Sequence, residues 1–161
     1  MVANRNCTDC TMCCEGWLSG DAYGHKFYPG KNCIFLQSKT CAIYESRPAM
    51  CKDFFCQWKV NPNIPTDFKP NVVNYMIIKG QVNDIEYLAL IGNDKVPDYT
   101  VINYFIKKQL NGEIENLVYT IDGNPCIKGT SEFEKLFSRI NFSIITPTCK
   151  QNRPMVEPSG Q

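Results

Sequence analysis

Ten cysteines dominate the chemistry available to this chain, and eight of them fall between Cys7 and Cys56. They are Cys7, Cys10, Cys13, Cys14, Cys33, Cys41, Cys51 and Cys56, spaced C-x2-C-x2-C-C-x18-C-x7-C-x9-C-x4-C. A C-x2-C step lets a tight turn aim two sulfurs at one ion. The run Cys7-x2-Cys10-x2-Cys13 is also a spacing that holds iron–sulfur clusters. Neighbouring side chains diverge, so Cys13 and Cys14 are expected to serve different centres. Eight thiolates then divide into two sets of four that share the first loop as a common wall. Which cysteines group together is not legible from spacing.

Thiolate-only ligation suits zinc and iron–sulfur clusters and argues against calcium, magnesium or manganese. The expected cofactor is Zn2+ in two four-cysteine sites, with a [4Fe-4S] cluster as the alternative. Closed four-thiolate zinc sites are structural, because no coordination position stays open. An iron–sulfur cluster would want apolar cover, which Trp17, Phe35, Phe54, Phe55 and Trp58 could supply. Charge does not choose between them. Residues 1–60 carry seven Lys/Arg and five Asp/Glu, a balance compatible with either. Five disulfides would need an oxidising compartment, and the N-terminal residues show no apolar export signal. Cys126 and Cys149 lie apart from the others and are expected to be buried and inert.

Other reactive residues are sparse. His25 is the single histidine and sits in a Gly/Pro-rich stretch beside Lys26, where a solvated role is expected. Trp17 and Trp58 are expected to pack. Arg47 and Lys52 could donate to the sulfurs, or could simply form a solvated helix face. There is no nucleophile elbow, P-loop, dinucleotide-binding glycine motif or zinc-protease motif. A non-enzymatic metal-binding module is therefore the expected function.

The elements that must position these sulfurs are less regular than those that follow. Residues 1–60 read as an irregular cysteine-cluster module, with 20–30 as loop and a short helix from Ser46 carrying Cys51. Residues 61–70 hold three prolines and read as a crossover. Residues 71–148 read as a small α+β unit of two hairpins and two helices. Its strands are expected at Val72–Ile78, Ile85–Ile91, Asn116–Ile121 and Pro125–Lys128, with a turn over Lys79–Asp84. Asp98 should cap a helix over Tyr99–Leu110 that ends at Asn111-Gly112. Ser131 and Glu134 form a capping box for a last helix reaching Ile140, with Phe133, Leu136, Phe137 and Ile140 inward. A further strand at Phe142–Ile145 and a loose tail over 149–161 complete the expectation.

The whole chain has 161 residues and 18.4 kDa, with 17 Lys+Arg against 16 Asp+Glu. A near-neutral balance gives no general electrostatic grip on nucleic acid or anionic membrane. At 43% hydrophobic and 12% aromatic, the composition permits a buried core. No apolar run approaches the roughly 20 residues of a membrane helix. A cytoplasmic protein with no membrane partner is expected.

The segments Cys7-Thr-Asp-Cys-Thr-Met-Cys-Cys14, Cys33-Ile-Phe-Leu36, Cys41-Ala-Ile-Tyr-Glu-Ser-Arg-Pro-Ala-Met-Cys51 and Asp53-Phe-Phe-Cys56 together resemble the YkgJ-type cysteine-cluster proteins. That family is described as a zinc- or iron-chelating domain, mostly bacterial or phage-encoded and cytoplasmic. A related cluster occurs in flagellin lysine methylase, where it is linked to an iron–sulfur centre. The resemblance covers about residues 7–58. It implies that the eight matching cysteines are metal ligands and that Arg47 and Pro48 are motif residues. It implies no activity for the part after residue 60, where a protein partner is the expected target.

Overall fold

The structure is a computed structural model, and it describes residues 5–7, 9–28, 30–92, 98–121 and 124–139. The chain is α+β. A four-stranded sheet of order β5-β6-β7-β8 forms its larger part. Its strands are β5 (Tyr75–Val82), β6 (Ile85–Gly92), β7 (Leu117–Ile121) and β8 (Asn124–Lys128). The pairs β5–β6 and β7–β8 are antiparallel, while β6 and β7 run parallel. Parallel neighbours need a crossover, and helix α4 (Tyr99–Leu110) supplies it.

Local chemistry explains the boundaries. The Asp98 side chain accepts from Thr100 N at 2.9 Å, and Gly112 takes a left-handed φ of 75° beyond the end of α4. The β5–β6 turn is the two residues Asn83-Asp84, both at positive φ, so β5 runs on through Lys79–Val82 where a turn was expected. The start of that strand is also corrected. Val72 and Val73 lie in a short helix, α3 (Pro70–Val73), with Pro70 at its first turn and left-handed Asn74 ending it. Strand-favouring side chains at 72 and 73 are outvoted by the proline before them and the asparagine after.

Helix α5 (Ser131–Arg139) begins one residue away from the expected cap. Thr130 Oγ1 accepts from Phe133 N at 3.2 Å, and Glu134 reaches back to Gly129 N at 3.2 Å. The capping oxygen thus comes from Thr130 rather than Ser131. Phe133 and Phe137 are buried. Ile140, the expected strand at Phe142–Ile145 and the tail over 149–161 lie outside the described residues.

The sheet buries both faces. One face packs Tyr75, Ile77, Leu90, Leu117 and Tyr119 against Val101, Ile102 and Phe105 of α4. The other packs Ala89 and Val118 against Phe133 and Phe137 of α5. Asn116 is buried between the two layers' ends, its amide donating to Glu86 O and its carbonyl accepting from Thr130 N, each at 3.0 Å. The Pro-rich stretch is packed as well: Ile64 and Phe68 join Trp58 in the α4-side core.

The front of the chain is built from small pieces. Strands β1 (Gly20–Ala22) and β2 (His25–Phe27) form a hairpin where a loop was expected, turning on Tyr23 and Gly24 at positive φ. Strands β3 (Leu36–Gln37) and β4 (Thr40–Cys41) form another, turning on Ser38 and Lys39. Two four-residue helices follow, α1 (Ala49–Lys52) and α2 (Gln57–Val60). The α1 N-cap is Pro48, not Ser46.

Candidate metal centre

The first three cysteine steps lie on a chain segment pinned at both ends. Cys10 N donates to Cys7 O at 3.1 Å, closing the first turn. An irregular helical turn, Cys13–Trp17, follows. Gly16 sits there at φ 79°, and a Cβ on it would lie 2.5 Å from Tyr28 O. Only glycine lets this turn press so closely on the backbone after β2.

Arg5 holds the start of the segment. Its guanidinium donates to the carbonyls of Trp58, Asn61 at 3.0 Å and Ile64 at 2.6 Å, and lies over the Trp58 ring. Asp9 pairs with Lys69, and Asn71 Nδ2 donates to Asp9 O at 2.8 Å. The loop carrying Cys7 and Cys10 is thereby fastened to the segment after Cys56.

The later cysteines come from the hairpins and short helices. Cys33 is buried with Ala22 and Phe27, and Cys14, Leu18 and Phe35 pack on them. Cys33 N donates to Cys14 O at 2.8 Å. Cys41 pairs with Leu36 across β3–β4, and Leu36 N donates to Cys33 O at 3.1 Å. Cys51 lies on α1, and Cys56 is the N-cap of α2, half-buried against the main core. All eight are free thiols.

The side chains of Cys13 and Cys14 do not diverge as they would in a strand or a regular helix. Their sulfurs are 3.9 Å apart rather than facing away from each other. The irregular turn, with Glu15 and Gly16 outside helical geometry, departs from both the strand and the regular helix on which the expected divergence rested. A thiol proton shared across this gap stabilises one thiolate at the other's expense. Donation from Cys14 holds the Cys13 thiol down at about 7, and the same bond pushes Cys14 up. Burial pushes Cys56 up to about 11, against the pull of the Lys59 and Trp58 N–H groups. Cys10 and Cys51 are also raised, first by burial and then by neighbouring thiolates.

Those neighbours fall into a pattern. Cys10 feels Cys7 and Cys13, and Cys56 feels Cys7 and Cys10. Cys14 feels Cys13, Cys41 and Cys33, and Cys51 feels Cys13, Cys33 and Cys41. The sulfurs are neighbours without being drawn into ligation: among the described residues no group of three or more His, Cys, Asp or Glu is placed to hold an ion.

Arg47 is the residue whose role the sequence left most open. Its guanidinium stacks 3.7 Å over the Tyr44 ring, and its positive charge favours the thiolates of Cys13 and Cys51. Its Nε is buried without a hydrogen-bond partner among the described residues. An orphaned cationic N–H on a side chain whose charge reaches two thiolates has the chemistry of a donor to sulfur. His25 is exposed and meets only the edge of Phe35 among the ring contacts, 5.9 Å between centroids. Trp58 is buried, its Nε1 donating to Thr66 O at 3.0 Å. Cys126 is buried on β8, and Cys149 lies outside the described residues.

A cleft of about 420 Å3 opens between the Asp53–Gln57 stretch and the outer half of β5, with Phe54, Phe55, Ile78 and Lys79 among its walls. No helix among the described residues is long and apolar enough to cross a membrane.

The fold is α+β, and eight of the cysteines precede its four-stranded sheet in sequence. No family model, curated protein or solved structure matches the chain.

Proposed function

We propose that residues 7–56 bind metal through eight thiolates in two four-cysteine centres, with zinc as the resident ion. The observation that carries this reading is eight free thiols contributed by five separate pieces of backbone, with Cys13 and Cys14 3.9 Å apart and Cys33 N donating to Cys14 O. Eight such groups crowded together as thiolates repel one another, and a cation relieves that repulsion. Zinc held by four thiolates has no open position and supplies a cross-link rather than a Lewis acid. This chain's residues would supply the sulfurs, and Arg47 a donor to them. The sheet behind the lobe then serves recognition of a protein partner, and the cleft beside Phe55 is a place for contact.

The alternative is a [4Fe-4S] protein with an electron-transfer or enzymatic role. It draws on the packing of Phe35 and Leu18 against the apolar cluster that holds Cys33, the kind of cover such a cluster requires. Metal and acid-labile sulfide analysis of protein purified without oxygen separates the two. The expected result is colourless protein with zinc and no sulfide. Brown protein bleached by dithionite supports the cluster. Metal-free protein with its thiols oxidised to disulfides overturns both.

A further inference from the structure

We propose that residues 142–146 of this chain, Phe-Ser-Ile-Ile-Thr, dock as a fifth strand on the open edge of β5 and fill the cleft between that edge and Phe55. The inference stands apart from the metal-binding reading, since nothing in it needs an ion.

The two edges of the sheet differ. Strand β8 is five residues long, contains Pro125, and has its Lys128 carbonyl taken by Gln109 Nε2 at 3.0 Å. Proline and short length blunt an edge against further pairing. Strand β5 is eight residues long and has no proline. Its first residues are covered, because Trp58 of α2 and Val73 of α3 share the apolar cluster of Tyr75 and Ile77. From Ile78 to Gln81 it faces the cleft instead. Among the described residues no strand pairs with β5 on its outer side. Lys79, the one charge of β5 that could guard the edge, is paired with Glu86 at 2.7 Å. Such an edge is a template for another strand.

The end of α5 delivers the chain close to this edge. Helix α5 lies on the face that carries Ile78 and Val82, and its Phe137 meets Tyr87 of β6 with ring centroids 5.0 Å apart. Tyr87 in turn covers Gly80 of β5, where a Cβ would overlap its ring. Arg139, two residues after Phe137, ends α5. The slot beside β5 lies two strand spacings from β6, about 10 Å. The three steps from Arg139 to Phe142 span about 10 Å when extended.

The segment has the chemistry of a strand. Phe142, Ile144, Ile145 and Thr146 are aromatic or β-branched, and Pro147 stops the run. Alternation gives it an apolar face, Phe142 and Ile144, to continue the layer of Ile78 and Val82. Phe55, 60% exposed at the cleft, gains cover from the added strand. A protein partner approaching the cleft then meets this strand rather than a bare edge.

Hydrogen exchange of the full chain with its metal, read at residue level by mass spectrometry, tests this. Residues 142–146 and the outward amides of Ile78–Val82 should be protected together. Neighbouring N–H groups in a strand point to opposite sides, so Ile144→Pro with Ile145→Pro removes one donor to β5 whichever register is used. That double variant should speed the β5 edge amides about 10- to 100-fold, the loss of about two hydrogen bonds. Val156→Pro, beyond the segment, should change neither region. Rapid exchange over 142–146 in the wild-type chain overturns the proposal. Protection of 142–146 without protection of the β5 edge places the segment elsewhere and overturns it as well. Edge protection that survives the double variant also overturns it, and where that protection falls on dilution from a dimer, the occupant is a second copy.

Discussion

The sulfurs of Cys13 and Cys14 lie 3.9 Å apart, close enough to share one thiol proton, which favours the Cys13 thiolate and disfavours that of Cys14. That arrangement splits two chemically identical neighbours. In the metal-free chain Cys13 should begin to react with iodoacetamide as pH rises through about 7, while Cys56 stays protonated until about 11. Removing the donor with Cys14→Ala should move the Cys13 labelling midpoint upward, because the thiolate loses the bond that favours it. Brief labelling across pH, read by mass spectrometry, checks both statements. An unmoved midpoint would mean that Cys14 is not the cause.

Arg47 offers a second handle on the same sulfurs. Its charge lies close enough to favour the Cys13 and Cys51 thiolates, and its Nε lacks a partner among the described residues. Arg47→Met should weaken zinc by about 10–100-fold, the usual cost of losing a group that orients a ligand. It should also raise the pH at which the site half-loads, since proton competition grows when a nearby cation is lost. Arg47→Lys keeps the charge without the Nε donor and should fall between. Competition against a chelator of known affinity measures this. Equal affinities in all three proteins would confine Arg47 to its stack on Tyr44.

Metal removal should divide the molecule. Among the described residues, the apolar cluster of the hairpins has three buried members, Ala22, Phe27 and Cys33, against thirteen in the core around α4. A cluster that small does not offset the entropy of ordering the hairpins around it. A strong thiol-competing chelator should therefore erase amide protection over Gly20–Phe27 and Leu36–Cys41 and spare Tyr75–Val82. Hydrogen exchange with mass spectrometry reads this directly. Protection that survives in the front lobe would show that it folds without its ions.

Arg5 should matter far beyond its place near the chain start. Arg5→Ala removes donors to three carbonyls, those of Trp58, Asn61 and Ile64. Hydrogen bonds from a charged donor contribute about 1.5–3 kcal/mol each, less where water can take over. A loss of about 2 kcal/mol in denaturant unfolding is expected, together with weaker metal binding. Arg5→Lys restores the charge but not the fork, so recovery should be partial. A change within about 0.5 kcal/mol would mean that water replaces the guanidinium without penalty.

Where local signals agreed, the elements were legible before any coordinates. The α4 helix runs over Tyr99–Leu110 because Asp98 caps it, its apolar residues recur on one face, and Gly112 follows its end. The β-branched and aromatic run Ile85–Ile91 marks the strand, which the structure extends by one residue to Gly92. Errors arose where two local signals competed. Val72 and Val73 favour a strand, but Pro70 and left-handed Asn74 enclose them in a helical turn. Thr130 and Ser131 are both good caps, and packing of Phe133 and Phe137 against the sheet chose Thr130. The hairpins on Tyr23-Gly24 and Ser38-Lys39 had weak turn signatures, since three of those four residues rarely take positive φ.

The eight cysteines and their candidate chemistry could be read from sequence alone, because residue type and C-x2-C spacing are local properties. Which distant segments bring them near one another could not. The charge of Cys7 and Cys10 reaches Cys56, and that of Cys33 and Cys41 reaches Cys51, because distant segments are brought together. Those contacts depend on an arginine at position 5 finding three carbonyls beyond residue 57, and on a methionine at position 50 meeting β1. Spacing limits how near two sulfurs along one stretch can come. Which stretches lie side by side is decided only when the burial of Trp58, Ile64 and Phe68 draws the front of the chain onto the sheet.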